Sequence, residues 1–153
     1  MPLKKLKEFL EQEKVKYITI VHSAAYTAQE VAAAAHVSGK DLAKTVIVHL
    51  DGKPAMAVLP ANRKIIHEDL RETTGASQIK FATEEEFQKL FPDCEIGAMP
   101  PFGNLYGMEV YVAAALAADE GIAFNAGSHT ELIKLAYKDF ARLVKPKVAV
   151  FTT

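Results

Sequence analysis

Apolar residues recur at helical spacing in the first dozen positions, at Leu3, Leu6, Phe9 and Leu10, which predicts an amphipathic helix running to about Lys14. Tyr17–Val21 then reads as a strand. Thr27-Ala28-Gln29-Glu30 has the form of a capping box, in which the Thr hydroxyl accepts a backbone N–H and the Glu side chain reaches back, so a second helix is expected through the alanine-rich run to His36. Asp51-Gly52 joins two apolar runs, residues 44–50 and 55–59, as a hairpin. Asn62 is positioned to cap a helix through Glu72 that Gly75 closes, and Thr83 opens a capping box for another that Pro92 ends. Residues 108–116 and Gly121–Asn125 predict paired strands around Ala118-Asp119-Glu120-Gly121, with a last short helix starting at Asp139. Helices and hairpins alternate without a regular strand-helix-strand series, which favours an α+β fold with a mostly antiparallel sheet.

One position breaks the pattern. Lys44 opens the run Lys44-Thr45-Val46-Ile47-Val48-His49-Leu50, and period-two alternation sets it on the same face as Val46, Val48 and Leu50. Two readings stand for an ammonium on an apolar face. Either the lysine sits at the strand's edge and extends its stem until the charge reaches water, or it projects into a cleft and meets an anionic or carbonyl-bearing ligand.

Composition narrows the classes. At 153 residues, half of them hydrophobic, the chain is expected to form one domain with a sizeable core, residues 1–153 without a linker. No stretch has transmembrane length, and the charged amphipathic start lacks the apolar core of a signal peptide, so a cytoplasmic protein with no membrane partner is expected. The single cysteine, Cys94, excludes an internal disulfide framework and reads as a small buried hydrophobe more readily than as a nucleophile. Lys and Arg total 18 against 19 Asp and Glu, so the marked basic excess of a general polynucleotide binder is missing and DNA is not an expected partner. Lys134, Lys138, Arg142, Lys145 and Lys147 make a local basic stretch that reads as a solvated face or as a few phosphate contacts.

The five histidines form neither a His-x-x-x-His pair nor a cluster with Cys94, and there is no Walker loop, so no protein-held metal and no cofactor is expected. Ser128-His129 invites a nucleophile-base reading, but neighbours on an extended segment point to opposite faces. Tyr26 and Phe102 have rings able to stack on a base, although core or loop packing is the commoner role for each.

Ala43-Lys44-Thr45-Val46-Ile47-Val48, the Gly-x-x-x-Pro loop from Gly97 to Pro101, Gly127-Ser128-His129 and the closing Lys138-Asp139-Phe140-Ala141-Arg142-Leu143 occur in that order. In this order and at this chain length they resemble the YbaK/ProX family of aminoacyl-tRNA deacylases, related to the editing domain of bacterial prolyl-tRNA synthetases. The resemblance implies a curved mixed sheet surrounded by helices and hydrolysis of the ester of a mischarged tRNA. It implies catalytic roles for Lys44, Gly97 and His129, and substrate contacts from Tyr26, Thr27, Thr45, Ala98, Met99, Pro100, Pro101, Gly127 and Ser128. The aminoacyl-tRNA acceptor end is the expected partner, with an aminoacyl-tRNA synthetase as a second. That ester is already activated, so a positioned water and a stabilised oxyanion suffice. Gly97 would let the loop backbone approach closely, with Pro100 and Pro101 stiffening it; Lys44 would hold a phosphate or hydroxyl of the terminal adenosine or polarise the carbonyl; His129 would line the pocket or orient ribose and water. The resemblance also implies that the substrate's vicinal 2′-hydroxyl helps activate water. Small side chains at Ala98 and Ala126, with Met99 and His129, favour a small amino acid such as Ala, Ser or Thr. A silent module that binds aminoacyl-tRNA or a synthetase, and an unrelated small-ester hydrolase, are the alternatives.

Overall fold

The computed structural model describes residues 2–23, 28–35, 37–95 and 98–153. The elements, in chain order, are α1 (Pro2–Gln12), β1 (Tyr17–Val21), α2 (Ala28–Ala35), β2 (Leu42–Leu50), β3 (Lys53–Pro60), α3 (His67–Thr74), β4 (Ile79–Phe81), α4 (Glu84–Leu90), β5 (Glu109–Ala113), α5 (Ala114–Ala117), β6 (Gly121–Asn125), β7 (Glu131–Ala136), α6 (Tyr137–Val144) and β8 (Lys147–Ala149). All described strands join one sheet in the order β1-β7-β6-β2-β3-β5-β8, with β4 added against β2. Four of its pairings are antiparallel, and β2–β6, β3–β5 and β5–β8 are parallel, so the sheet is mixed and mostly antiparallel.

The β2–β3 hairpin turns on Asp51 and Gly52, both at positive φ (51° and 88°), the geometry whose twist matches paired strands. Thr83 caps α4 with both halves of the capping box formed, and the shared Glu86 also lies 2.5 Å from His49 Nε2 on β2. Gly75 closes α3 in the left-handed conformation, as its position suggested.

Three expectations need correction. The helix placed from Asn62 starts at His67, because the intervening chain pairs with the C-terminal segment: the Ile66 N–H donates to the Phe151 carbonyl and Ile65 bridges Thr152. The strand placed over residues 108–116 ends at Ala113, and the alanines that follow form α5, a good use of the residue with the highest helix propensity. That turn of helix carries the chain across the sheet, so β5 pairs with β3 and β8 while β6 pairs with β7 and β2; β5 and β6 are not partners. The last helix begins at Tyr137, two residues before Asp139, which lies in its first turn. The proposed cap Thr27 and the helix end at His36 lie outside the described residues.

The sheet buries both faces. On one, Ala43, Ile47, Met56, Val58 and Phe124 pack with Leu6 and Leu10 of α1, Phe87 of α4 and Phe140 of α6 in the main core. Phe102 is fully buried at its centre, with ring centroids 5.4 Å from Phe124 and 5.5 Å from Phe140. The other face carries two smaller clusters. Val48, Ala57 and Leu59 pack with Leu70 of α3 and Phe151, while Leu42, Ala123 and Leu132 pack with Val31 and Ala32 of α2. Lys44 falls between these two clusters.

Candidate active site

The parallel pairing of β2 with β6 lasts for two residues, Leu42 and Ala43 against Ala123 and Phe124, before the strands part. β4 takes up the same edge of β2 only at Val48–Leu50. The stretch after α4 reaches the parted end of β6: Glu95 N–H donates to the Gly127 carbonyl at 2.9 Å, and Gly127 N–H donates to the Ala98 carbonyl at 2.8 Å. Gly127 takes φ 100° to do so, a conformation that L side chains rarely adopt. The two sequence motifs are therefore stitched together by backbone hydrogen bonds beside the strand that carries Lys44.

Lys44 lies one step past the last β2–β6 pair, opposite Leu59 of β3. Asn125 is the residue after the last paired position on β6, as Lys44 is on β2, and alternation along the strands turns both to the same face of the sheet. The lysine is half-buried; burial lowers its pKa from the usual lysine value, and the nearby Lys64 ammonium lowers it further. Among the described residues it has no carboxylate partner. The Asn125 Oδ1 is buried without a hydrogen-bond partner, and so is His22 Nε2. His22 N–H donates to the Thr130 carbonyl at 2.9 Å, extending the β1–β7 ladder by one row. Its Nδ1 lies 2.8 Å from the Ser23 carbonyl, so the neutral ring carries its proton there and offers Nε2 as an acceptor. Buried acceptors left unpaired cost stability and point to a ligand that supplies donors.

His129 is 7% exposed, and its backbone N–H donates to Glu95 Oε2 at 3.3 Å while its Nε2 lies 3.9 Å from the same oxygen. Ser128 Oγ lies 3.2 Å from Thr130 Oγ1 and accepts the Thr130 N–H at 3.4 Å. The adjacent Ser and His thus engage different partners, as expected of neighbours on an extended segment, and this is not the arrangement of a serine nucleophile with its base. Cys94 is half-buried, and burial pushes its thiol pKa up to about 11, which suits a packed side chain and not a thiolate.

The proline-rich loop is buried at each described position from Ala98 to Pro101. Met99 packs in the main core, on the face opposite Lys44, and shares an open 200 Å³ groove with Thr45, Ile47 and Phe87. Ala98 spends its N–H on the Glu95 carbonyl and the prolines have none, so among the described loop residues the Met99 N–H is the remaining backbone donor. The structure thus brings Gly127 and Ala98 into hydrogen-bond contact, sets His129 on Glu95 and Lys44 at the fork, and turns Thr45 and Met99 to the far face. Tyr26, Thr27 and Gly97 lie outside the described residues.

Sequence reasoning missed Asn125, His22, Glu95 and Lys64. For Asn125 a signal was available, a polar residue closing the apolar strand Gly121–Asn125 inside a quoted motif. Glu95 had none, because its contact with His129 spans 34 residues.

The fork gathers a half-buried lysine, two buried polar atoms without a hydrogen-bond partner and the backbone of both motif segments. The family described as Aminoacyl-tRNA editing domain matches residues 22–143, and the chain belongs to it; it is an aminoacyl-tRNA hydrolase. The Prolyl-tRNA editing protein ProX of Acetoanaerobium sticklandii is 25% identical over 143 residues, covering 89% of this chain and 86% of that one. Two solved structures share the fold. A candidate trans-editing enzyme for prolyl tRNA synthetase superposes with a TM-score of 0.85 at 18% identity, over 99% of this chain and 97% of that one. A hypothetical protein gives 0.84 at 18% identity, over 97% and 99%.

Proposed function

We propose that this protein is a trans-editing deacylase that hydrolyses the ester between a small amino acid, with Ala, Ser and Thr the favoured candidates, and the acceptor end of a mischarged tRNA. The observation that carries the reading is Lys44, a desolvated lysine between two apolar clusters with no carboxylate partner among the described residues, at the fork where the two motif segments meet. Lys44 holds a phosphate or hydroxyl of the terminal adenosine or polarises the ester carbonyl. The N–H groups of the Gly97–Pro101 loop stabilise the tetrahedral oxyanion, and the substrate's own 2′-hydroxyl helps activate water. His129, held by Glu95, orients the ribose and the water.

The names of the relatives favour a tRNA of the prolyl system and an aminoacyl-tRNA synthetase as a second partner. A pocket that merely tolerates a hydroxyl rejects it poorly, so selectivity among Ala, Ser and Thr is expected to be shallow. Work in translation fits the cytoplasm, and among the described residues no helix is long and apolar enough to cross a membrane. The deciding experiment is a deacylation panel over correctly and incorrectly charged tRNAs, repeated with a terminal 2′-deoxy substrate. Turnover confined to small mischarged amino acids, slowed by loss of the 2′-hydroxyl, is the expected result. Binding without turnover across the panel would sink the reading.

A further inference from the structure

β1 is the outermost strand on its side of the sheet, and among the described residues it pairs with β7 alone. The His22 N–H donates to the Thr130 carbonyl, and hydrogen-bonded and non-hydrogen-bonded rows alternate along an antiparallel ladder, so Ile20 and Ile18 also turn their backbone groups to β7. The N–H and C=O groups of Tyr17, Thr19 and Val21 therefore point away from the sheet. The Ala126 N–H, which donates to the Glu131 carbonyl on the other side of β7, fixes the same alternation.

A free edge of this kind is a template for another strand, and proteins blunt it with charges, prolines, bulges or brevity. β4 and β8, the other strands with a single partner, show that treatment: each is three residues long and carries a lysine, Lys80 or Lys147. β1 runs for five residues, Tyr17-Ile18-Thr19-Ile20-Val21, with no charge, no proline and an unbroken register. Its apolar side chains are open as well. Ile18 is 58% exposed and Val21 76%, the most exposed large apolar side chain among the described residues.

The strand is also complementary to itself. Set antiparallel to a second copy about a two-fold axis at Thr19, it places Thr19 opposite the partner's Thr19, Tyr17 opposite the partner's Val21 and Ile18 opposite the partner's Ile20. Aromatic–β-branched and Thr–Thr pairs are among those that stabilise adjacent strands, and the isoleucine pair covers Ile18. The outward groups of Tyr17, Thr19 and Val21 fall on the hydrogen-bonded rows of that register, giving about six bonds in all. The Tyr17 ring is held for this role, its hydroxyl donating to Glu11 Oε1 at 3.1 Å while the ring packs on the main core. A strand from an unrelated protein would match this edge by chance; a second copy matches it by symmetry, row for row.

We propose that β1 is the contact through which two copies of this chain form a symmetric dimer, their sheets continuing into one across Tyr17–Val21. The contact is smaller than the roughly 1,000 Å² of a permanent interface, so the dimer is reversible, with a Kd on the order of tens of micromolar. β7 and β6 stand between β1 and the strand of Lys44, so the dimer leaves the fork free and is independent of the deacylase reading.

Sedimentation velocity tests it. Wild type is expected to move from one chain mass towards two across about 3–300 μM, a range that brackets such a Kd. Thr19→Pro removes an N–H that points away from the sheet and no bond to β7, so it is expected to keep its circular dichroism spectrum and remain a monomer throughout. Val21→Lys keeps the whole backbone and sets a lysine against the partner's Tyr17; it is expected to raise the Kd at least about tenfold. A cysteine at the symmetry axis reads the register. In a Cys94→Ala background, Thr19→Cys is expected to form a disulfide with its own copy under mild oxidation, because opposed residues of a hydrogen-bonded row lie about 5.5 Å apart at Cα, while Glu72→Cys, an exposed control, does not. A wild type that stays monomeric at every concentration overturns the proposal. So does a dimer that persists undiminished in either folded variant, or a Thr19→Cys chain that crosslinks no faster than the control. A monomer that pairs only when a prolyl-tRNA synthetase is added gives the edge to that protein and overturns the dimer as well.

Discussion

Lys44 is a residue whose environment works against its charge. Burial favours the neutral amine, so the folded lysine gives up its proton more readily than the unfolded one, and holding it charged at neutral pH costs stability. Lys44→Ala is therefore expected to leave the melting temperature unchanged or slightly raised while deacylation falls on the order of a hundredfold, the scale of losing one electrostatic contact to a transition state. Lys44→Arg should recover only part, because a planar guanidinium differs in shape and donor geometry. Near-normal turnover by the alanine variant would remove Lys44 from the mechanism. Cys94 is shifted in the opposite direction. With its thiol pKa pushed up by burial from 9.0 to about 11, the thiolate fraction at pH 8 is roughly a hundredfold below that of an ordinary cysteine, and alkylation by iodoacetamide should slow in proportion. The folded thiol holds its proton more tightly than the unfolded one, so it leaves stability unaffected below pH 9 and lowers it as pH rises from 9 towards 11. Cys94→Ala should remove that contribution and keep deacylase activity; a cysteine-dependent rate would contradict the mechanism.

Among the elements, the connection from the proline-rich loop to β5 is closely packed at Gly103. A side chain at Gly103 would place its Cβ 2.6 Å from both the Met108 carbonyl oxygen and Val110 Cγ2, and the backbone atom cannot swing aside. Gly103→Ala is expected to cost about 1–3 kcal/mol, the usual range for overpacking, which for a chain of this size lowers the melting temperature by several degrees. The shift also reaches Phe102 and the prolines before it, so kcat should fall along with stability. A fully stable, fully active alanine variant would show that the loop does not depend on this close packing. Local signals were reliable where hydrogen bonding is local: Asp51-Gly52, Gly75 and the Thr83 capping box are each where the residue types demand them. They were unreliable at Asn62, whose capping chemistry was outbid by pairing with a segment some 90 residues away.

At the scale of the molecule, the charge balance governs how the substrate is held. With 18 bases against 19 acids, binding to tRNA should rest on two or three phosphate contacts, giving a slope of log affinity against log salt near about −2. A slope several times steeper would mean an extended basic surface, with Lys134, Lys138 and Lys145 as the first residues to examine. Much of this protein was legible in its sequence by itself: the fold class, the hairpin, the helix capped by Thr83, the anomalous lysine and the motifs that mark the editing family all rest on residue types at short spacing. Only the tertiary structure decided which strands are neighbours, because β5 and β6 are separated by a single turn of helix that carries the chain across the sheet. It also decided what surrounds Lys44. The pinning of Lys64 by Thr153, the meeting of Ala98 with Gly127 and the burial of Asn125 Oδ1 join residues far apart in the chain or depend on what covers them. Periodicity reports which face a side chain takes, and it carries no information about which distant segment will be packed against that face.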